Sequence, residues 1–233
     1  MPIDIETGAN VGTINEIVRT LFGESAQTVD IVILLTILTL LPSILMMLTG
    51  FTRIIIVLSF IRQALGMQQT PPNQVLIGLA LFLTFFVMQP VFTRVYDDAY
   101  VPFTEGQITQ EEFIEGAMDP IRMFMFEQVV RSDMDFFLEM SGQEFTDEAG
   151  LDEIPTSVLI PAFITSEIKN AMFIGFFIYL PFIVIDMIVA STLMSMGMMM
   201  LPPAMISLPF KVLLFVLVDG WQLILGALIR TFY

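Results

Sequence analysis

The sequence predicts an all-α, membrane-associated protein with two long helical hairpins and an intervening acidic helical segment. The 233-residue chain is 56% hydrophobic, whereas soluble domains are about 45–50% apolar, and its mean hydropathy is +0.83. Four long regions are nearly free of charge, and polar or proline-containing stretches separate them. Because about 20 apolar residues in an α-helix cross a bilayer, we expect these regions to be membrane helices.

The composition argues against several classes of protein. The chain has no Cys and no His, which excludes disulfides, thiol catalysis and thiolate metal sites and removes the usual general base. We therefore expect neither an enzyme nor a bound metal or cofactor. The net charge of −15 comes mostly from residues 95–153. An acidic balance argues against nucleic-acid binding, which needs clustered Lys and Arg.

The first part of the chain is predicted to be a polar arm followed by the first hairpin. The arm, residues 1–30, lacks the basic start and compact apolar core of a secretory signal. In the hairpin, residues 31–93, the uncharged run Ile31–Thr52 leads through further helix to the breaker Gln68–Asn73. A second apolar helix, Val75–Phe92, then returns.

Basic residues predict which side of the membrane each hairpin tip faces. Arg53 and Arg62 fall in the connecting part of the first hairpin, and Lys and Arg in short loops favour the cytoplasmic side. The connection around Met200–Lys211 places the second tip on the same side. The two chain termini and the acidic segment would then lie outside the cytoplasm.

The middle of the chain, residues 94–155, is predicted to be an acidic helical segment, with part of it at the periplasmic side. Thr109 followed by Glu112 matches a capping box, and Asp119-Pro120 is typical of a helix start. The acidic side chains are interpreted as a solvated face. The alternative is a docking surface for a partner.

Residues 156–233 are predicted to form the second hairpin. Pro202-Pro203 should end one apolar helix, and Lys211–Phe232 should form the returning helix. Between them lies a methionine-rich turn. Met198, Met199 and Met200 are consecutive, and consecutive residues cannot share one helical face. A loop of soft, mobile apolar side chains suits a deformable seal, with ordinary packing or copper binding by thioethers as alternatives.

Charged residues within this apolar region need partners, because an ionised side chain in hydrocarbon costs about 2.5–3.5 kcal/mol. We expect Glu167 to pair with Lys211, within one chain or between neighbouring copies, and Arg131 is a third candidate for the same acid. The alternative is that Lys211 extends to an interface and Glu167 is solvated.

Two further carboxylates, Asp186 and Asp219, are also predicted to be buried in apolar surroundings. Intramembrane acids often couple transport to protons or ions. Without a His nearby the pair would be a weak relay. We therefore favour a structural role, in which each acid pairs with a hydroxyl, a backbone amide or a basic residue of another subunit.

Long motifs occur from about residue 40 to residue 233. They are Thr49–Arg53, Gln69–Gln74, Pro161–Ile168 with Ile174–Phe176, Gly197–Pro203, and Pro209–Lys211 with Asp219–Trp221. Together these motifs resemble the signatures of one family, the FliP/SctR family of type III export-gate proteins. Within that family, Val216–Leu223 is closer to the flagellar than to the injectisome branch.

The resemblance implies a pore subunit that passes unfolded flagellar subunits across the bacterial inner membrane, within the flagellar basal body. It implies a homopentamer together with FliQ and FliR, and FlhA and FlhB at the cytoplasmic side. Met198, Met199 and Met200 would be the gasket that seals the closed pore. Glu167 and Lys211 would belong to an intersubunit charge network. The family also implies that much of the assembled protein is raised toward the periplasm.

Three other functions remain as alternatives to this expectation. An injectisome export gate would share the architecture. A proton-coupled transporter would use Asp186 and Asp219. A scaffold would only organise other subunits, so that changes in the methionine turn would leave permeability intact.

Overall fold

The computed structural model describes residues 28–67, 69–142, 151–198 and 200–233. The chain divides into two units, residues 1–45 and 46–233. In the first unit, the described residues belong to one helix, and most of the predicted polar arm lies outside the described residues. The helices are α1 (Thr28–Leu48), α2 (Phe51–Ala64), α3 (Asn73–Val95), α4 (Val101–Thr104), α5 (Gln110–Gln128), α6 (Arg131–Met140), α7 (Thr156–Ser195), α8 (Pro203–Leu217) and α9 (Gly220–Arg230).

The expected all-α class is confirmed: the described residues are helical, apart from turns and connections, and contain no strand. Two helical stretches, Asn73–Thr104 and Thr156–Ser195, are long and apolar enough to cross a membrane. Two broken helix pairs among the described residues reach that criterion when each is taken together. The sequence therefore indicated the class of structure through hydropathy alone.

The first predicted hairpin contains an additional break. The helix α1 ends at Leu48, and α2 begins at Phe51, so the apolar run Ile31–Thr52 does not continue unbroken into the following residues. Gly50 lies in the break, and a Cβ there would come within 2.6 Å of the Phe232 ring. Arg53, which we expected in the hairpin connection, lies in the first turn of α2 and is buried.

The helix that begins at α3 runs beyond the predicted end at Phe92. It starts at Asn73, after Pro72, and passes through a π-helical stretch, Tyr96–Tyr100, into α4. Pro90 lies inside it. The wider π-helical turn contains Asp97 and Asp98, so the beginning of the acidic segment is part of the same continuous helical stretch.

The acidic segment begins its main helix at the predicted capping box. The Glu112 N–H donates to Oγ1 of Thr109 at 3.3 Å, and the Thr109 N–H donates to Oε2 of Glu112 at 2.7 Å. The Thr109 backbone N–H, and to a smaller extent the Thr109 hydroxyl, stabilise the Glu112 carboxylate and hold the pKa of Glu112 below its ordinary value. The second predicted start was wrong, because Pro120 lies inside α5. The cap at Thr109 fixes the start earlier, and the helix continues through Pro120.

The second hairpin has a longer first arm and a broken second arm. The helix α7 is 40 residues long and contains Pro161 and Pro181. The returning arm starts at Pro203, not Lys211, and bends by 66° between α8 and α9. Asp219 lies at this bend with φ of 50°, a left-handed conformation that Asp tolerates better than most residues.

The core of residues 46–233 forms where α2 packs along α7. Ile54, Leu58 and Ile61 from α2 are fully buried, as is Leu159 from α7. Farther along, Gly175 lets the Phe60 side chain lie against α7, because a Cβ at this position would be only 2.5 Å from Phe60 Cγ. The close approach of the two helices therefore depends on the missing side chain.

Most of α7 beyond this core is uncovered within the single chain. Only 11% of its most apolar 18-residue window is buried. Exposed side chains along it include Phe173, Phe177 and Met187. Such a surface needs lipid or other protein against it, because it is too large and too apolar to face water.

We predict that Gly175→Ala destabilises the protein by about 1–3 kcal/mol, since the added methyl group displaces Phe60 at its ring base. Gly78→Ala is the matched control. Nothing lies within 4 Å of its added Cβ, and Ala in a helix is better than Gly by about 0.5–1 kcal/mol. Thermal unfolding of the purified protein in detergent should show a lower midpoint for the first variant only. Equal midpoints for the two variants would contradict the close packing.

Candidate functional site

A buried ion pair joins the two helices of the core. Arg53 and Glu167 are 2% and 0% exposed. The guanidinium group of Arg53 donates to both carboxylate oxygens, from Nε to Oε2 at 3.1 Å and from Nη2 to Oε1. This two-point contact is the strong geometry for an arginine and a carboxylate. It fixes α2 against α7 where neither side chain reaches water.

The remaining Arg53 donors bind two other parts of the chain. Nη1 donates to the carbonyl and the hydroxyl oxygens of Thr231, both at 3.0 Å. Nη2 donates to Oε1 of Gln128 at 3.1 Å, and the Gln128 amide donates to the Phe232 carbonyl at 3.1 Å. One arginine therefore connects α2, α7, the last residue of α5 and the residues after α9.

An aromatic ring covers this network. The carbon at the centre of the Arg53 guanidinium lies 4.1 Å from the centroid of the Phe232 ring, within the range of a cation–π contact. Phe124 stacks with Phe232 at 6.4 Å between ring centroids and meets Phe163 edge-on at 6.0 Å. The rings exclude water, so the charges depend on one another for compensation.

A second ion pair holds the second hairpin together. Lys211 Nζ donates to Oδ2 of Asp186 at 2.6 Å, and the Ser207 hydroxyl donates to Oδ1 at 2.6 Å. Lys211 and Ser207 are buried, and Asp186 is partly exposed. Lys211 and Ser207 lie one turn apart on α8, so both reach the same carboxylate on α7. We call this set, Asp186 with Ser207 and Lys211, the hairpin clamp.

The segment between the end of α7 at Ser195 and the start of α8 at Pro203, which we call the methionine turn, lies beyond the clamp. The Gly197 N–H donates to the Met194 carbonyl, and the Met198 N–H donates to the Leu193 carbonyl, both at 3.0 Å. With φ of 76° at Gly197, this is a Schellman ending for α7. Met198 is exposed, and Met200 is 98% exposed. Met199 lies outside the described residues. The turn therefore presents thioethers at the end of a fixed hairpin.

The partners of the predicted charged residues differ from those expected. Within the described chain Glu167 and Lys211 do not pair with each other, since Glu167 binds Arg53 and Lys211 binds Asp186. Arg131 is exposed in the first turn of α6. The predicted role of these residues between subunits stays a prediction.

The two carboxylates predicted to be buried lie in different surroundings. Asp186 accepts from a hydroxyl and an ammonium group, and the basic partner comes from the same chain. Asp219 is exposed at the bend between α8 and α9. Among the described residues, no three His, Cys, Asp or Glu side chains are grouped so that they could hold a metal ion.

Sequence reasoning missed Arg53 as a site residue. From the sequence, Arg53 indicates only which side of the membrane the hairpin connection faces, although it lies between apolar stretches as Glu167 does. The same rule that requires a partner for Glu167 requires one for Arg53. A single sequence does not show which acid and which base meet, because 113 residues separate these two.

We predict that Arg53→Met lowers the free energy of unfolding by about 3–5 kcal/mol, because it leaves the Glu167 carboxylate buried without its counter-charge. The double variant Arg53→Met with Glu167→Met should recover more than half of that loss. Arg94→Met, at an exposed position on α3, is the control and should change little. Denaturation in detergent measures all three, and an equally destabilised double variant would contradict the pairing.

Charge exchange at Lys211 distinguishes the observed clamp from the expected pair. Lys211→Glu should prevent stable folding of the second hairpin, because it places two acids together. Adding Asp186→Lys should restore most of the lost thermal stability, whereas adding Glu167→Lys should not. Rescue by the Glu167 exchange alone would favour the pairing expected from the sequence and contradict the clamp.

Comparison with known proteins gives one consistent result. The family model described as "FliP family" matches residues 34–228 of this chain. A flagellar biosynthetic protein FliP from Pectobacterium carotovorum subsp. carotovorum is 56% identical over 206 residues, covering 88% of this chain and 79% of that protein. The protein of that name from Bacillus subtilis (strain 168) is 50% identical over 207 residues, covering 89% and 93%. The one from Cereibacter sphaeroides is 52% identical over 206 residues, covering 88% and 68%.

The family match covers the Arg53–Glu167 pair, the hairpin clamp, the methionine turn and the bend at Asp219. They also include the long apolar helices that define the fold. A match of this length at this identity is specific to one family. The chain belongs to the FliP family.

Proposed function

We propose that this protein is a core pore-forming subunit of the flagellar type III protein export gate. It passes unfolded flagellar subunits across the bacterial inner membrane, and its methionine turn seals the closed pore. The relatives named flagellar biosynthetic protein FliP support a role in building the flagellum. The observation that carries the seal is the exposed thioether turn at the end of a clamped hairpin.

The seal works through the physical character of the methionine side chain. A narrow ring of apolar groups excludes water and ions, because a hydrophobic constriction gates by dewetting. Methionine is unbranched and flexible, so neighbouring side chains fill irregular gaps when the ring is closed. The same flexibility lets them move aside for an unfolded chain of any sequence, without specific contacts that would hold it.

The hairpin clamp limits where this movement occurs. Asp186 and Lys211 hold the arms of the hairpin together before the turn. Gly197, with its left-handed backbone, ends α7 just before Met198. The arms therefore remain a fixed frame while the turn adapts. Opening involves side chains and turn residues rather than separation of the two helices.

The uncovered apolar surface supports assembly into a larger complex. Most of α7 lacks cover in the single chain, so neighbouring copies and membrane lipid would provide it. We propose a homopentamer with FliQ and FliR, with FlhA and FlhB beside it, in the basal body and partly on the periplasmic side. Exposed Arg131 suits a contact between copies, whereas Glu167 and Lys211 would have to exchange their present partners to join one.

Two features favour a passive pore over a proton-coupled transporter. Asp186, one of the two acids on which a transporter would depend, is held by an ammonium group and a hydroxyl. Asp219, the other acid, is exposed at the bend between α8 and α9, outside the hairpin clamp. The flagellar names of the relatives favour the flagellar branch over the injectisome. No catalysis or cofactor is part of the proposal.

We predict that replacing Met198, Met199 and Met200 with Ala makes resting cells leak small ions and solutes, because the shorter side chains no longer fill the ring. Leakage should rise at least about tenfold, since a wetted pore conducts where a dry constriction does not. Release of a loaded dye or potassium from cells carrying the complete gate measures this.

The matched control is the replacement of Met123 and Met140 with Ala, exposed methionines of α5 and α6 that lie outside the turn. These cells should stay as tight as the parent. Unchanged permeability in the triple variant, with normal amounts of assembled gate, would contradict the seal and favour a scaffold.

A further inference from the structure

The methionine turn concentrates accessible sulfur at one place in the molecule. Met196, Met198 and Met200 are exposed in the turn, and Met194 and Met205 are exposed on the helices beside it. By contrast, Met88 and Met125 are fully buried in the core. The chain contains no Cys, so thioethers are its only sulfur groups. An oxidant that reaches the protein from water meets this cluster before the core methionines.

The chemistry open to these side chains is oxygen transfer to sulfur. A peroxide such as hydrogen peroxide gives one oxygen atom to the thioether: the O–O bond breaks, an S–O bond forms, and water leaves. Sulfur loses two electrons and the peroxide gains them. The product, methionine sulfoxide, is polar where methionine is apolar, and reductases reverse the change.

We infer that the methionine turn is an oxidation site, and that sulfoxide formation there opens the closed gate to water and small ions. This inference rests on the proposed function of the turn as a seal. A sulfoxide oxygen is a strong hydrogen-bond acceptor, so a ring that carries several of them retains water. The constriction then fails for the reason that it normally works, since dewetting requires apolar walls.

The arrangement around the turn confines the effect to the seal. The hairpin clamp consists of a carboxylate, a hydroxyl and an ammonium group, none of which a peroxide oxidises under mild conditions. The backbone bonds that end α7 at Gly197 do not involve sulfur. Oxidation therefore changes the surface of the turn and leaves its frame and the buried Arg53–Glu167 pair in place.

The first test measures which methionines of the assembled, purified gate react. After limited treatment with hydrogen peroxide, peptide mass spectrometry reports the fraction of each methionine that has gained one oxygen atom. We expect peptides with Met196, Met198 and Met200 to react at least about tenfold faster than those with Met88 and Met125, because oxidation follows exposure. Exposed Met140 is the internal reference. Turn methionines that react as slowly as Met88 would overturn the inference.

The second test links oxidation to the state of the gate in cells. Replacing Met196, Met198, Met199 and Met200 with Leu keeps the volume and the apolar character of the side chains and removes the sulfur that peroxide oxidises. This variant should stay tight with and without peroxide, whereas the parent should leak several-fold more after treatment. Gln at the same positions imitates the polar sulfoxide and should leak without peroxide. Met140→Leu is the control and should respond to peroxide as the parent does.

The outcomes separate this inference from the function on which it rests. If the Ala replacements leak but neither peroxide nor the Gln replacements increase leakage, the seal stands and oxidation control is wrong. If the Ala replacements do not leak, the seal itself is wrong. If the Leu variant leaks with peroxide as much as the parent, the oxidised group lies elsewhere and the inference fails.

Discussion

The buried contact between Arg53 and Glu167 is the interaction on which the core of residues 46–233 depends. It joins α2 to α7 and, through the remaining guanidinium donors, brings in the end of α5 and the residues after α9. The desolvation cost of a single unpaired charge at this buried position would be too high, but two charges of opposite sign with satisfied hydrogen bonds are tolerated. The geometry therefore selects one arrangement of helices that apolar packing alone would leave less defined.

The same principle recurs at smaller scale in the second hairpin, with a different consequence. The clamp of Asp186, Ser207 and Lys211 fixes the two helix arms. Beyond the clamp, methionine side chains replace these polar contacts. There the side chains are flexible thioethers, and Met200 is almost wholly exposed. Rigid polar contacts below a soft apolar tip are a suitable combination for a seal that must deform without loss of its frame.

Sequence reasoning predicted the helical class, the capping box at Thr109 and the position of the methionine turn, because each depends on local or periodic signals. It did not predict the partners of Glu167 and Lys211. Glu167 lies in an apolar stretch, and Lys211 and Arg131 are both plausible partners for it from the sequence. Which of the basic residues it meets depends on how distant helices pack. The start at Asp119 failed because an earlier cap competed with it. The need for glycine at position 50 follows from the ring of Phe232, which leaves no room for a Cβ there and comes from a distant part of the chain.

We propose that the methionine turns of several copies converge to close one pore. The absence of native Cys allows a direct measurement: Met200→Cys in the complete gate, treated with a short thiol cross-linker in intact membranes. Convergent turns predict a ladder of cross-linked copies of this chain, and Met140→Cys should give far less. A Met200→Cys protein that remains entirely monomeric in the assembled gate, although its thiol reacts with a single-ended reagent, would contradict the account.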